Sequence, residues 1–365
     1  MNVILTENNT TMKIHRHISV FLLAGFVLFS GSALLAGNND RAGQAGASEL
    51  LINPWARSSG WGNANSASIR GLEASFLNVA GTAFTKKTEM IFCRTNWLSG
   101  TDISINAFGL TQKVSESSVL GFNIMSMNLG DLITTTVDAP DGTLGSFNPQ
   151  YLNIGLSYAR EFSHSIYGGV NVKVITQDIP NVSAQGIAFD AGIQYVTGEN
   201  DQIKFGIALK NVGPPMRFTG DGLSFRFTNP LVNAATPYET TVQQRSERFE
   251  LPSLLNIGGA YDFKFTDDHK LTMAANFTSN SFTYDQYTVG AEYSFKSYLM
   301  LRGGYTLEQS GFSDADRTTA LTGPAAGATF EVPLGKNGVT FGFDYSYRFT
   351  QPFNGSHSFS ARIAL

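Results

Sequence analysis

Cysteine is almost missing from this 365-residue chain. Cys93 stands alone, which excludes a disulfide framework and leaves the thiol best read as a small apolar side chain. Charge is scarce as well: Asp, Glu, Lys and Arg make up 15% of residues, where soluble proteins carry roughly 25%. The net charge of −4 comes with no basic stripe, which excludes a nucleic-acid binder. Of five histidines, His15 and His17 belong to the N-terminal segment. The remaining His164, His269 and His357 have no convincing Ser-plus-acid constellation in reach, so the chain reads as non-enzymatic. Beyond residue 36 no apolar run approaches the 18 or more residues of a membrane helix. Glycine lacks the triplet spacing of collagen, and Ala, Glu, Lys and Leu are too few for a coiled coil.

What is abundant is glycine, with 37 residues, and aromatic side chains, at 12%. The N-terminus reads as an export signal: Lys13 and Arg16 precede an apolar run from Ile18 to Phe29, then small residues from Ser30 to Ala33. The functional start is read as Met12 and the signal as residues 1–36. Cleavage falls between Ala33 and Gly37, with Gly31 and Ala33 meeting the small-x-small rule. The alternative is an uncleaved anchor, since Ile18 to Ala36 is just long enough to span a bilayer.

From Glu89 onward the dominant signal is alternation of period two. Val339, Phe341, Phe343, Tyr345, Tyr347 and Phe349 share one face, while Thr340, Gly342, Asp344, Ser346 and Arg348 share the other. Leu255 to Phe265 and Leu299 to Leu307 split the same way. The pattern restarts often enough for about fourteen strands, each near the length a tilted strand needs to cross a bilayer. Short and long connections alternate, the long ones being 130–150, 211–252 and 308–324. The fold expected is therefore all-β, a transmembrane antiparallel barrel over residues 89–365. Both its ends and the processed N-terminus are expected on the periplasmic side of the outer membrane, with outer-membrane lipid as its surroundings.

A barrel of this size encloses more space than its own side chains fill. The candidate filler is the Gly-, Ala-, Ser- and Asn-rich segment 37–88, read as a lumenal plug anchored by Trp55, Trp61 and Phe76. The alternative is a flexible periplasmic tail. The stretch Trp55-Ala56-Arg57-Ser58-Ser59-Gly60-Trp61-Gly62-Asn63-Ala64, continuing to Ala74 and Leu77-Asn78-Val79-Ala80-Gly81, resembles the N-terminal signature of the PorV/PorQ family, with Arg57 and Asn78 at signature positions. Trp61 stands where that family has Met and Val79 where it has Pro, so the plug is expected to turn differently near Asn78. The similarity extends to Gly155–Tyr158, Ile166–Val174 and Gly206–Gly213. The resemblance implies a barrel related to the fatty acid channel FadL, working in the type IX secretion system. Its implied partners are the translocon barrel, the C-terminal signal domains of secreted cargo and a surface attachment complex.

The longest outer segment carries Met216, Phe218, Leu223, Phe225, Phe227, Leu231, Val232 and Tyr238 among Gly and Pro residues. Exposed apolar groups in such number suit a cargo or translocon contact. The alternative is a hairpin over 216–228 that extends the wall and packs on itself. The competing function is a FadL-like channel for uptake of hydrophobic small molecules, with a lateral opening and passage around the plug. No cofactor or metal is expected. Asp131, Asp138 and Asp141 lack the spacing of a calcium loop, and Gly60 to Gly62 lacks the strand and helix of a nucleotide site.

Overall fold

The computed structural model describes residues 37, 39–228, 239–308, 319–335, 338–350 and 353–365. The export signal, Leu231, Val232 and Tyr238 lie outside the described residues. In chain order the strands are β1 (Thr88–Asn96), β2 (Ser104–Lys113), β3 (Ser118–Asn128), the short β4 (Leu132–Ile133) and β5 (Ser146–Phe147), β6 (Gln150–Ser163), β7 (Ile166–Ile179), β8 (Val182–Thr197) and β9 (Ile203–Val212). The short β10 (Phe218–Thr219), β11 (Ser224–Thr228) and β12 (Glu239–Gln243) follow. The chain ends with β13 (Leu254–Lys264), β14 (His269–Asn280), β15 (Gln286–Phe295), β16 (Leu299–Glu308), β17 (Gly323–Leu334), β18 (Val339–Arg348) and β19 (Ser356–Ala364). Setting aside the five short strands, fourteen antiparallel strands close into a barrel, with β1 zipped to β19 through Glu89↔Ala364 to Asn96↔His357.

The alternation in the sequence is the in–out alternation of this wall. On β8, Ile187, Phe189, Ile193 and Tyr195 point outward while Ala184, Ala188, Asp190 and Gln194 are buried inside. Leu156 is 63% exposed and Ile193 58%, and comparable residues ring the barrel, more apolar surface than a soluble monomer shows. Hydrocarbon covers such a surface at no cost, and closure leaves no strand edge bare in lipid.

The end of the barrel holding the connections 129–149 and 213–253 is called upper, the end holding Leu365 lower. Lower turns are tight, such as His164–Ser165 between β6 and β7. One upper connection is shorter than the sequence suggests. Residues 178–185 read as a loop, yet β7 and β8 run on to a two-residue tip, Pro180–Asn181, with Asn181 at φ 69°. The extra length raises the wall on that side.

The lumen holds the described residues of 37–87, with short helical turns at Ala56–Ser59, Ala74–Leu77 and Val79–Phe84 joined by irregular chain. Irregular backbone in an enclosed space needs side-chain partners. Asn53 accepts from Trp55 N (3.0 Å), Glu73 from Ser58 N (2.8 Å) and Asn78 from Ala80 N (3.2 Å). The segment runs the whole height of the barrel. Gly37 N donates to Asp285 (2.8 Å) in the upper β14–β15 connection, whereas Thr85 meets Thr111 (3.0 Å) at the lower end, next to Thr88, whose carbonyl accepts from Leu365 N (2.8 Å). Gly37 and Leu365 are therefore at opposite ends of the barrel. This corrects the expectation that the processed N-terminus and the C-terminus share the periplasmic side: the plug enters from above and must traverse the lumen before β1 begins at the bottom.

Candidate functional site: a plugged lumen with a cleft in its wall

On one side the plug is held by buried charge. Arg57 lies at the centre, its Nη2 3.0 Å from Met300 Sδ. Burial opposes its charge, but Glu292, Asp344, Glu73 and Glu331 outweigh that and hold it firmly protonated. Glu73, also on the plug, is pushed up by burial and then by Asp344, with Arg57 and Arg362 pulling back. The wall is itself cross-linked. Arg302 pairs with Glu292 (2.7 Å) and donates to Thr329 (2.6 Å), Ser360 donates to Asp344 (2.9 Å), and Arg362 pairs with Glu331 (2.6 Å). Glu89 of β1 accepts from Leu72 N on the plug (3.0 Å).

Opposite this face, between the plug and β3, β6, β7 and β8, is a cavity of about 40 Å³. Leu50, Pro54, Trp55, Phe76 and Met125 line its apolar side, and Glu49, Asn123, Asn153, Asn171, Lys173 and Asp190 its polar side. Asn123 Nδ2, Asn153 Oδ1 and Asn171 Oδ1 are buried without a hydrogen-bond partner in the protein. Burial pushes up the carboxyl of Glu49, whose oxygens both accept from Gln177 (3.0 Å each). At roughly 10–15 Å³ for each water, the space suits a few waters rather than an aromatic ring.

A second cavity, of about 210 Å³, lies at the upper ends of β9, β13 and β14, where Leu209 and Val212 face outward. Leu209, Val212, Gly213, Glu250, Leu251, Leu255 and Ser281 are among its lining residues. Beside it the β8–β9 ladder is bulged: Phe189 pairs with Val212 but Ala191 with Leu209, so Lys210 and Asn211 together face Asp190. Asn211, at φ 60°, takes the left-handed conformation that Asn tolerates. It lines this cavity and bonds two residues that line the other. Its side chain accepts from Lys173 and donates to Pro252 O (3.0 Å), its main-chain N donates to Asp190 (2.7 Å), and Lys173 pairs with Asp190 (2.8 Å). Lys210 sits 3.6 Å over the Phe76 ring.

All five expected plug residues are in the lumen. Trp55 packs on Leu72, Ile91, Cys93 and Ala107. Trp61 lies among Ala64, Ala67, Ala260 and Ala274, and a methyl group on Gly304 would overlap its carbonyl oxygen. Asn78 donates to Ile193 O (3.1 Å) across the lumen. The outer-loop residues separate instead. Met216 and Phe218 are not a partner surface: Met216 is buried against Leu50, Ile175, Ala184, Ala188 and Leu251, and Phe218 pairs with Ala184 and packs on Phe249. The cause is that β10 fills the ladder position on β8 that β9 vacates. Leu223 is half-buried, and Phe225 and Phe227 are exposed on the β11–β12 hairpin.

His164 is near Glu161 (3.4 Å), His269 bonds Tyr293 (2.5 Å) and His357 bonds Tyr345 (2.9 Å); among the described residues no serine hydroxyl bonds a histidine. Asp131 accepts from Asn148 (3.1 Å), and among the described residues no metal-holding cluster includes it. Sequence reasoning missed the charge cluster and the bulge. Asp344 and Arg302 were visible as charges on inward faces, while nothing marked Asn211.

Fold and site together define a transmembrane β-barrel whose lumen is closed by its own N-terminal segment. No protein-family model matches the chain and no curated protein matches it in sequence. In structure it is similar to the CymD monoaromatic hydrocarbon channel, at 14% identity and TM-score 0.51, covering 86% of this chain and 97% of that one. It is likewise similar to the toluene transporter TbuX of Ralstonia pickettii (14%, TM-score 0.52) and the toluene transporter TodX of Pseudomonas putida (11%, TM-score 0.53), each with the same coverage of 86% and 97%. At these identities the likeness is one of fold. It supports the FadL-like barrel, and nothing in the comparisons carries the PorV/PorQ resemblance.

Proposed function

We propose that the chain is an outer-membrane channel that passes small hydrophobic molecules between its lumen and the membrane through the cleft in its wall. The observation that carries this reading is the 210 Å³ cleft, whose lining residue Asn211 bonds Lys173 of the plug–wall cavity. Cavities of about 150 Å³ bind benzene, so one aromatic ring fits the cleft as it stands. The structural neighbours named as hydrocarbon channels and toluene transporters point to the same class of molecule. With the plug in place, short helical turns and irregular chain occupy the lumen, which disfavours a water-filled pore. Passage requires the bulge and the nearby plug surface to shift.

The test is a crystal soak with iodobenzene, whose halogen locates a bound ring. Density among Leu209, Val212 and Leu255, lost on toluene competition and in Leu209→Trp, supports the reading. An empty cleft at saturating iodobenzene overturns it.

A second reading keeps cargo handling in type IX secretion, and Phe225 and Phe227 favour it, exposed on a hairpin above the rim. A pull-down of the tagged chain from its native membranes decides: recovery of a translocon barrel or a cargo signal domain, lost on Phe225→Ser with Phe227→Ser, supports secretion.

A further inference from the structure

We propose that signal peptidase cuts between Ala36 and Gly37, and that the new α-ammonium of Gly37 locks into the buried carboxylate of Asp285 at the upper end of the barrel. Four observations carry this, none of which bears on what the channel passes. First, the main-chain N of Gly37 already lies 2.8 Å from Asp285 Oδ2, while Asn280 N donates to the other carboxylate oxygen (3.2 Å). Asp285 has no exposed surface. Its carboxylate is thus withdrawn from water, where a cationic donor is worth more than an amide.

Second, the position admits only glycine. A Cβ on residue 37 would stand 2.7 Å from Asp285 N, 2.8 Å from Thr283 O and 2.9 Å from Asp285 Oδ1, closer than real Cβ contacts. Third, the residues that follow are tied to the same corner. Arg41 pairs with Glu250 (2.6 Å) and lies 4.3 Å over the Phe282 ring, and Gly46 N donates to Glu250 O (3.0 Å). Fourth, Ala36 supplies the small residue a signal peptidase requires before its cut. A cut after Ala33, which fits the small-x-small rule better, leaves Leu34, Leu35 and Ala36 ahead of Gly37. The ammonium is then three residues away from the Gly37 nitrogen that meets Asp285.

The chemistry is hydrolysis. Water adds across the Ala36–Gly37 amide, the leader departs with a carboxylate on Ala36, and the Gly37 amine takes up a proton, staying charged at neutral pH because α-amines titrate near 8. Processing thereby creates the cation that fastens the upper end of the plug.

The intact mass of the mature full chain from outer membranes tests the first half, and a chain beginning at Gly37 is expected. A start at Leu34 or at any other residue overturns the proposal. The second half is read by labelling the folded, detergent-solubilised protein with an N-terminus-selective aldehyde, and by trypsin cleavage after Arg41. Asp285→Asn keeps the shape and removes the charge. Labelling and cleavage are both expected to rise about tenfold, as befits loss of a charge-assisted bond. Should that variant fail to fold, an alanine inserted directly after Gly37 keeps the Ala36–Gly37 cut, moves the ammonium one residue away from its tethered successors and leaves Asp285 intact, with the same rise expected. Unchanged labelling and cleavage in the folded variant overturn the lock.

Discussion

The two sides of the plug are held by different physics. Toward β15–β19 and β1 the contact is ionic and largely buried, with Arg57, Arg302 and Arg362 set among Glu73, Glu89, Glu292, Glu331 and Asp344. Toward β6–β9 it is a backbone fit low in the lumen, where a Cβ on Gly169 or Gly192 would crowd Val79 or Asn78, and an incompletely filled space above. Buried ions resist sliding, because any displacement strands a charge in a low dielectric. A part-filled space with unpaired amides does not. The comparison teaches where displacement of the plug costs most and least: most on the ionic face, least beside the part-filled space.

The largest effect should come from breaking the ionic face. Arg57→Met removes the one plug cation that faces these carboxylates, and stranding a buried charge costs about 3–5 kcal/mol. Urea unfolding from detergent should show that loss, and single-channel recordings should show ion conductance as the plug loosens. An unchanged midpoint would mean that the wall pairs, such as Arg302 with Glu292, neutralise the cluster without the plug. Next comes Gly304→Ala. Its methyl group meets the Trp61 main chain rather than a flexible side chain, so relief requires the plug to move, at about 1–3 kcal/mol. Retained stability there would show that the fit is looser than the geometry says.

The cleft side is probed by Asn211→Gly, which keeps the left-handed backbone open to the residue while deleting the bonds to Lys173 and Pro252. A loss of about 1–2 kcal/mol follows from two hydrogen bonds. The more telling readout is position: soaked iodobenzene should move from the cleft toward Phe76. A halogen that stays among Leu209 and Leu255 would show that Asn211 is not the barrier.

How much of this was legible follows from the kind of signal each feature leaves. The fourteen barrel strands were, because lipid on one face and polar lumen on the other force a two-residue period, as in Val339 to Phe349. The lumenal anchors Trp55 and Trp61 stood out as large apolar groups in a small-residue segment. The plug's direction left no trace, since Gly37 and Asp285 are 248 residues apart and only the fold brings them together. Met216 and Phe218 misled for a physical reason: they read as exposed loop aromatics and apolars, but the early exit of β9 opens a slot on β8 that they fill. Asn211 was invisible, as one bulged residue does not disturb the alternation on either side.

The smallest effect is expected at the hairpin. Phe225 and Phe227 stand on β11, paired only with β12, and neither packs into a described core cluster. Replacing both with Ser should alter stability by no more than about 0.5 kcal/mol, the ordinary range for surface positions. That makes the double variant a clean instrument, because a change in any binding assay then reports contact and not folding. Arg57→Met disturbs the plug and leaves the hairpin alone, whereas the Phe pair does the reverse. A channel for small molecules should lose function with the first and keep it with the second. If hydrocarbon binding instead survives Arg57→Met while partner capture is lost with the Phe pair, the division between an ionic face and a part-filled one describes only how the barrel is built, and its work is done above the rim.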